Sequence, residues 1–213
     1  MERVLIVGAT GGTGNKLVNI LKATNSFEPV AMIRKKEQQA TFDEIGVKTF
    51  LADLEGDLSK AVKNIDKIIF AAGSGSETGP EKTIAIDQEG AKKLIDEAKK
   101  AKVKKFVMLS AINADDPQSN KKLEHYLKAK KNADEHLQKS GLKYTIVRPG
   151  TLSDEIPSGT IDIAEKLDYK NDITRQDVAH VLALSLADNL VQNKTFEVLE
   201  GSMPVLKALQ SFS

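Results

Sequence analysis

The 213-residue chain contains no cysteine, which excludes disulfides, thiolate metal sites and cysteine nucleophiles and fits a reducing compartment. Histidine is nearly as scarce: the three residues show no clustered spacing such as H-E-x-x-H, and no metal site is expected. A large net charge of either sign is also missing. The 31 basic and 30 acidic side chains leave a formal charge of +1, so no global field attracts nucleic acid or an anionic membrane surface, and any anion must be bound locally. No apolar run approaches membrane-spanning length, and Met1 to Arg3 lead straight into the first apolar segment; no signal peptide and a cytoplasmic location are expected. Arginine is rare among the bases. Four of the 31 are arginines (Arg3, Arg34, Arg148, Arg175) and the other 27 are lysines, which usually form solvated faces, so each arginine carries more information.

What is present resembles an average globular chain: 40% hydrophobic and 29% charged residues, with a mean hydropathy of −0.30. The length suits one domain spanning 1–213. Short apolar runs alternate with segments of helical periodicity. The runs are Val4 to Val7, Val30 to Ile33, Thr49 to Leu51, Ile68 to Ala72, Phe106 to Leu109, Tyr144 to Val147 and Phe196 to Leu199. Most are continuously apolar, as in strands covered on both faces. The expected fold is therefore α/β: a single doubly wound parallel sheet with helices on both faces and a small C-terminal extension on the substrate side. Residues 83–102 read as an amphipathic helix. Residues 119–141 read as another, with Ser119 as N-cap and Gly141 as stop, and Thr174 with Asp177 has capping-box spacing. The stretches 73–80 and 153–160 each follow an apolar run and read as loops around a site at the carboxyl edge of the sheet.

Gly8, Gly11 and Gly14 are spaced G-x-x-G-x-x-G between the first strand and a helix carrying Leu17, Val18 and Leu21; Thr10, Gly12 and Thr13 complete the turn. Glycine lets backbone amides approach a diphosphate, whose charge then sits at the positive end of a helix. A P-loop is excluded because Gly14 and Lys16 are not adjacent and no hydroxyl residue follows the lysine. Where a site preferring NAD carries an acid for the ribose hydroxyl, this chain has Arg34, followed by Lys35 and Lys36. A guanidinium suits a 2′-phosphate, so NADP (NADPH) is expected over NAD, the bland alternative being a solvated helix start. Asp53 and Leu54 fall near the adenine in such a fold, and Ala71, Ala72 and Gly73 leave room for the cofactor backbone, unless both groups are ordinary strand-end packing.

Tyr126 and Lys130, spaced Y-x-x-x-K, share one helical face. A phenol, with an ordinary pKa of ~10, shuttles protons poorly at neutral pH unless a nearby ammonium favours the phenolate. The spacing alone is weak, since three tyrosines among 27 lysines give a chance match in roughly one such chain in three. Its location adds weight: Ser110 ends the fifth strand, where its hydroxyl can face the same cleft, or merely satisfy loop backbone.

With these parts in place the chain resembles the short-chain dehydrogenase/reductase superfamily, in its atypical, NmrA-like or biliverdin-reductase-B-like branch. The resemblance spans almost the whole chain, through GATGGTG at 8–14, residues 86–111, YLKAK at 126–130, YTIVRPG at 144–150 and ITRQDVA at 173–179. It implies a catalytic group of Ser110, Tyr126 and Lys130, with Lys130 also holding the nicotinamide ribose and Pro149 and Gly150 bordering the nicotinamide. One position departs, because Asp87 stands where the better-known catalytic branch often has asparagine. The implied activity is an NADPH-dependent oxidoreductase passing hydride to a carbonyl-type or similar electrophilic carbon: Tyr126 donates the proton, Ser110 polarises the oxygen and Lys130 tunes the tyrosine. A non-catalytic NADP(H) sensor and a sugar epimerase or dehydratase are the alternatives. His125 is expected as a surface or packing residue, and Asn113 as a substrate contact. The expected partner is a small-molecule substrate, which residues 73–80, 111–118 and 151–165 would surround. Neither nucleic acid nor membrane is expected, and the lysine- and glutamate-rich fourth and fifth helices suggest a monomer over a homodimer.

Overall fold

The computed structural model describes residues 1–75, 78–168 and 171–213. Its strands are β1 (Glu2–Val7), β2 (Phe27–Ile33), β3 (Lys48–Leu51), β4 (Lys67–Phe70), β5 (Lys105–Leu109), β6 (Tyr144–Pro149), β7 (Thr151–Ser153), β8 (Thr160–Ala164), β9 (Asp172–Thr174), β10 (Lys194–Glu200) and β11 (Met203–Pro204). The helices are α1 (Gly12–Thr24), α2 (Gln39–Asp43), α3 (Pro80–Thr83), α4 (Ala91–Lys100), α5 (Glu124–Lys139), α6 (Arg175–Leu184) and α7 (Val205–Phe212). All seven apolar runs lie in strands of one nine-stranded sheet, ordered β11-β8-β10-β6-β5-β4-β1-β2-β3, except that Ala71 and Ala72 lie just past the end of β4. From β3 to β10 the pairs are parallel; β8 and β11 add an antiparallel edge. The connection reverses direction between β1 and β4, which opens a crevice at their carboxyl ends.

The alternation within β1 shows how the sheet is covered. Val4 and Ile6 join a core with Leu17, Val18 and Leu21 of α1, Val178 and Leu182 of α6, and Leu209 of α7. Leu5 and Val7 face the opposite core, with Leu94, Ile95 and Ala98 of α4 and Ala133 and Leu137 of α5. Every residue of β4 and β5 is buried. Their first residues, Lys67 and Lys105, run their stems under the sheet to the loop after α6. Lys67 donates to Leu186 O and Asp188, and Lys105 to Ala187 O and Leu190 O at 2.7 and 3.0 Å.

Burial pushes the Lys105 ammonium down to about 8, against a partial pull upward from Asp188. Its charged form is therefore disfavoured in the fold, so the stability it contributes is present above the unfolded-state value of 10.5 and lost as pH falls through about 8. The unfolding free energy of the wild type relative to Lys105→Met should rise by about 2–3 kcal/mol from pH 8 to pH 10.5 in urea titrations. A difference that does not change with pH would refute this.

Three local features depart from expectation or refine it. Ser119 does not cap α5: its hydroxyl donates to Asp116 O at 2.6 Å within a 3₁₀ turn, Asn120 starts a further turn by accepting from Lys122 N, and the helix begins only at Glu124. Gly141 does stop α5, with φ +83°. The segment 83–102 is not a uniform α-helix, because residues Ile84–Gly90 form a π-helical turn between α3 and α4. Thr174 caps α6 as its spacing predicts, and the Asp177 carboxylate also accepts from Ser158 N and Gly159 N, tying 153–160 to the helix.

Candidate functional site

The turn after β1 is shaped by glycines in two different ways. Gly8 has φ +85°, and a Cβ there would come within 2.6–2.7 Å of the Ala71 and Ala72 backbone; a Cβ on Gly14 would overlap the Gly8 carbonyl oxygen. These two let β1, α1 and the end of β4 close on one another. Gly11 occupies the N-cap position of α1 in extended conformation, with no capping side chain and no acid in the first turn. The leading amides of α1 are thus left for an anion.

The turn borders two cavities that share Gly11 and residues 71–73. One, about 190 Å³, runs past Met32, Arg34, Leu54 and Ile86. The other, about 690 Å³, runs from Gly11, Gly12 and Thr13 to Ser110, Tyr126 and Lys130, walled by Leu109, Leu123, Leu152 and the 73–80 loop.

At the far end of the larger cavity, α5 presents Tyr126 and, one turn on, Lys130, whose Nζ lies 5.5 Å from the Tyr126 ring centroid. The Tyr126 hydroxyl has no hydrogen-bond partner among the described residues. Lys130 is buried; its Nζ donates to Leu109 O at 3.3 Å and lies 2.9 Å from Oδ1 of Asp87. Asp87 is 0% exposed, sits in the π turn, and accepts from Ser74 N at 2.9 Å. Such turns recur where a helix must aim a functional side chain. Burial alone favours the neutral amine of Lys130, but the groups around it, Tyr126, Asp87 and Asp134, outweigh it and hold the ammonium above the ordinary lysine range.

Ser110 faces a second ionic group. Its hydroxyl donates to Oδ2 of Asp134 at 2.8 Å, and Arg148 Nε and Nη2 each reach the same oxygen at 3.0 Å. Burial pushes the Asp134 carboxyl up to about 6, with Arg148 and Ser110 pulling the other way. The series continues from Arg148 to Asp115 (3.3 Å), to Lys166 (3.2 Å) and to Glu197 on β10 (3.3 Å). With its proton committed to Asp134, Ser110 can donate to a substrate oxygen only by rotating away and leaving Asp134 to Arg148.

A glycine turn, a crevice at the β1/β4 reversal and a Tyr–Lys face at its far wall form one arrangement, and the comparison with known families agrees with it: the model of an NAD(P)H-binding family matches residues 8–189. The chain belongs to this NAD(P)H-binding family. The expected NAD(P)-binding Rossmann family holds at this level. The chain is 40% identical over 212 residues to the "Uncharacterized sugar epimerase YhfK" of Bacillus subtilis (strain 168), covering 98% of this chain and 99% of that protein. A solved Bacillus halodurans structure, provisionally named an NAD-dependent epimerase/dehydratase, is 43% identical with a TM-score of 0.95, covering 99% of this chain and 100% of that one. The oxidoreductase ylbE of Lactococcus lactis is 32% identical with a TM-score of 0.86, covering 98% and 95%.

For a family member, the remaining expected residues fall in two groups. Gly8, Thr10, Gly11, Arg34, Leu54, Ala71, Ala72 and Gly73 line the smaller cavity, and Gly12 and Thr13 the larger. Arg34 follows β2 directly; Gln38 Oε1 accepts from the Arg34 and Lys35 amides, and the Arg34 guanidinium has no partner among the described residues. Asp53 lines neither cavity, because its carboxylate accepts from Glu55 N and closes its own turn. Pro149 and Gly150 do not line the cavities either: a Cβ on Gly150 would overlap Leu199 and the Asn171 carbonyl, so that glycine serves strand packing, and Leu152 is the cavity residue. Asn113 is turned away from the cavities, its Oδ1 accepting from Lys166 and its amide donating to Glu197. His125, expected as a surface or packing residue, is exposed and lines the larger cavity beside Tyr126.

Asp134, Arg148 and Arg175 were missed as site residues. Lys130 and Asp134 are four apart on one helix, and the scarcity of arginine already marked the other two. Of the loops expected around the substrate, 73–80 lines the larger cavity, with Ser76 and Glu77 outside the described residues; 111–118 does not, and 151–165 contributes Leu152.

Proposed function

We propose that the protein is an NADPH-dependent oxidoreductase acting on a small carbonyl-type or comparably electrophilic substrate. The observation that carries this reading is the course of the crevice, which joins an uncapped glycine turn to a tyrosine hydroxyl without a partner among the described residues, backed by a buried lysine. The turn fits a diphosphate, and Arg34 offers a guanidinium without a partner among the described residues where a 2′-phosphate would lie. NADPH, when bound, supplies the hydride. Tyr126 gives its proton to the substrate oxygen, Lys130 keeps a positive charge against the tyrosine ring, and Ser110 orients that oxygen while Arg148 holds Asp134. Leu109, Leu123 and Leu152 give the reacting end apolar walls for the carbon skeleton of such a substrate.

Incubation with NADPH and a panel of quinones, flavins and aldehydes should give cofactor oxidation. Binding without oxidation of any of them would instead support a sensor, a reading favoured by the Lys130–Asp87 pair, which engages the lysine expected at the ribose. The names of YhfK and the Bacillus halodurans protein point to epimerase or dehydratase chemistry, which would consume no net NADPH.

Cofactor preference is tested separately. Arg34→Ala should weaken NADP binding about ten- to a hundredfold, the worth of charge-assisted hydrogen bonds, and leave NAD binding nearly unchanged in calorimetry. An equal loss for both nucleotides would remove Arg34 from 2′-phosphate recognition.

A further inference from the structure

We propose that Arg175 binds the diphosphate of the dinucleotide and that Asp154 serves as its stand-in anion when no diphosphate is present. The inference rests on the nucleotide-binding reading above and adds to the cradle a residue from the far end of the chain.

The fold brings Arg175 to the turn by two routes. Parallel pairing of β7 with β9 sets Ser153 beside Thr174, and α6, which Arg175 begins, packs against α1. The arginine side chain then lies over the first turn of α1. A Cβ on Gly12 would come within 2.8 Å of Arg175 Cδ and 3.2 Å of its Nε, so the missing side chain at Gly12 makes room for the arginine. Arg175 lines the same cavity as Gly11, Gly12 and Thr13.

Electrostatics then requires an anion. A guanidinium over the positive end of α1 is unfavourable by itself, and the first turn of α1 holds no acid to offset it. In the structure the offset comes from Asp154, whose Oδ2 lies 2.7 Å from Arg175 Nη1, while the same nitrogen reaches Leu152 O at 3.4 Å. The Asp154 side chain is 69% exposed, and a pair with so exposed a carboxylate is worth little. A diphosphate in the turn would meet the helix amides and the guanidinium together and so displace Asp154. Arg175 is thereby a binding residue, and Asp154 a competitor for it.

The two residues must act in opposite directions, which calorimetry on the full chain can read. Arg175→Ala should weaken NADP binding about ten- to a hundredfold and leave 2′-AMP, which lacks a 5′-phosphate, unaffected. Asp154→Asn should tighten NADP binding a few-fold and have no effect when combined with Arg175→Ala. Wild-type NADP binding that survives Arg175→Ala would overturn the proposal and leave the nucleotide reading standing. If the wild type bound neither NADP nor NAD, both would fall. Should Arg175→Ala also lose 2′-AMP through damage to the fold, Asp154→Asn decides: NADP binding no tighter than in the wild type overturns the proposal.

Discussion

Lys130→Met is expected to destabilise the protein by about 3–5 kcal/mol, because it leaves the Asp87 carboxylate in the interior without its counter-charge. The cost comes from the orphaned partner more than from the lost attraction: taking both charges away together removes the desolvation penalty along with the pair. Lys130→Met combined with Asp87→Leu should therefore recover most of the loss, and the double-mutant cycle should show strong coupling. Urea denaturation measures all four proteins. A single variant within 1 kcal/mol of wild type, or a double variant no better than the single, would show that the pair is not energetically closed. The same cycle separates two roles of the lysine, since a double variant with recovered stability still lacks the ammonium beside Tyr126 and should not recover turnover. Asp87 also holds the Ser74 amide, so the pair anchors the start of the 73–80 loop at the cavity wall.

The sequence made the glycine-turn end of this site legible because each part there is a local pattern. A continuous apolar run, a glycine spacing and a helical stripe report on residues a few positions apart, and β1, the turn and α1 follow from them. Four short strands, β7, β8, β9 and β11, were not foreseen. β8 illustrates why: of Thr160–Ala164 only Ile161 is fully buried, so no apolar run marks it. The π turn was hidden for another reason, since the apolar spacing of 83–102 fits an ordinary helix, and the extra residue per turn at 84–90 shows only once Asp87 is seen against Lys130. The ionic series from Ser110 to Glu197 joins α5, β6, β10 and two loops. No spacing encodes such a set, because its members meet only after the sheet is assembled. Arg175 was obscured by its neighbours: Thr174 and Asp177 account for that stretch as a helix cap.

Tyr126→Phe should lower kcat/KM for an aldehyde about 10²- to 10⁴-fold, the usual worth of a positioned proton donor, with NADPH affinity and unfolding free energy close to wild type. The substitution is clean by geometry. The hydroxyl it removes has no partner among the described residues, and the ring that stacks beneath the Lys130 ammonium is kept. Quinones supply an internal control. Reduction of an aldehyde leaves a strongly basic alkoxide that needs its proton within the site, whereas a hydroquinone anion is far less basic and can be protonated by water. The same variant should therefore keep most of its quinone activity while losing aldehyde reduction. Full aldehyde activity in Tyr126→Phe would take the proton transfer away from this residue, and equal losses on both substrates would mean that the ring hydroxyl positions the substrate and does not protonate it.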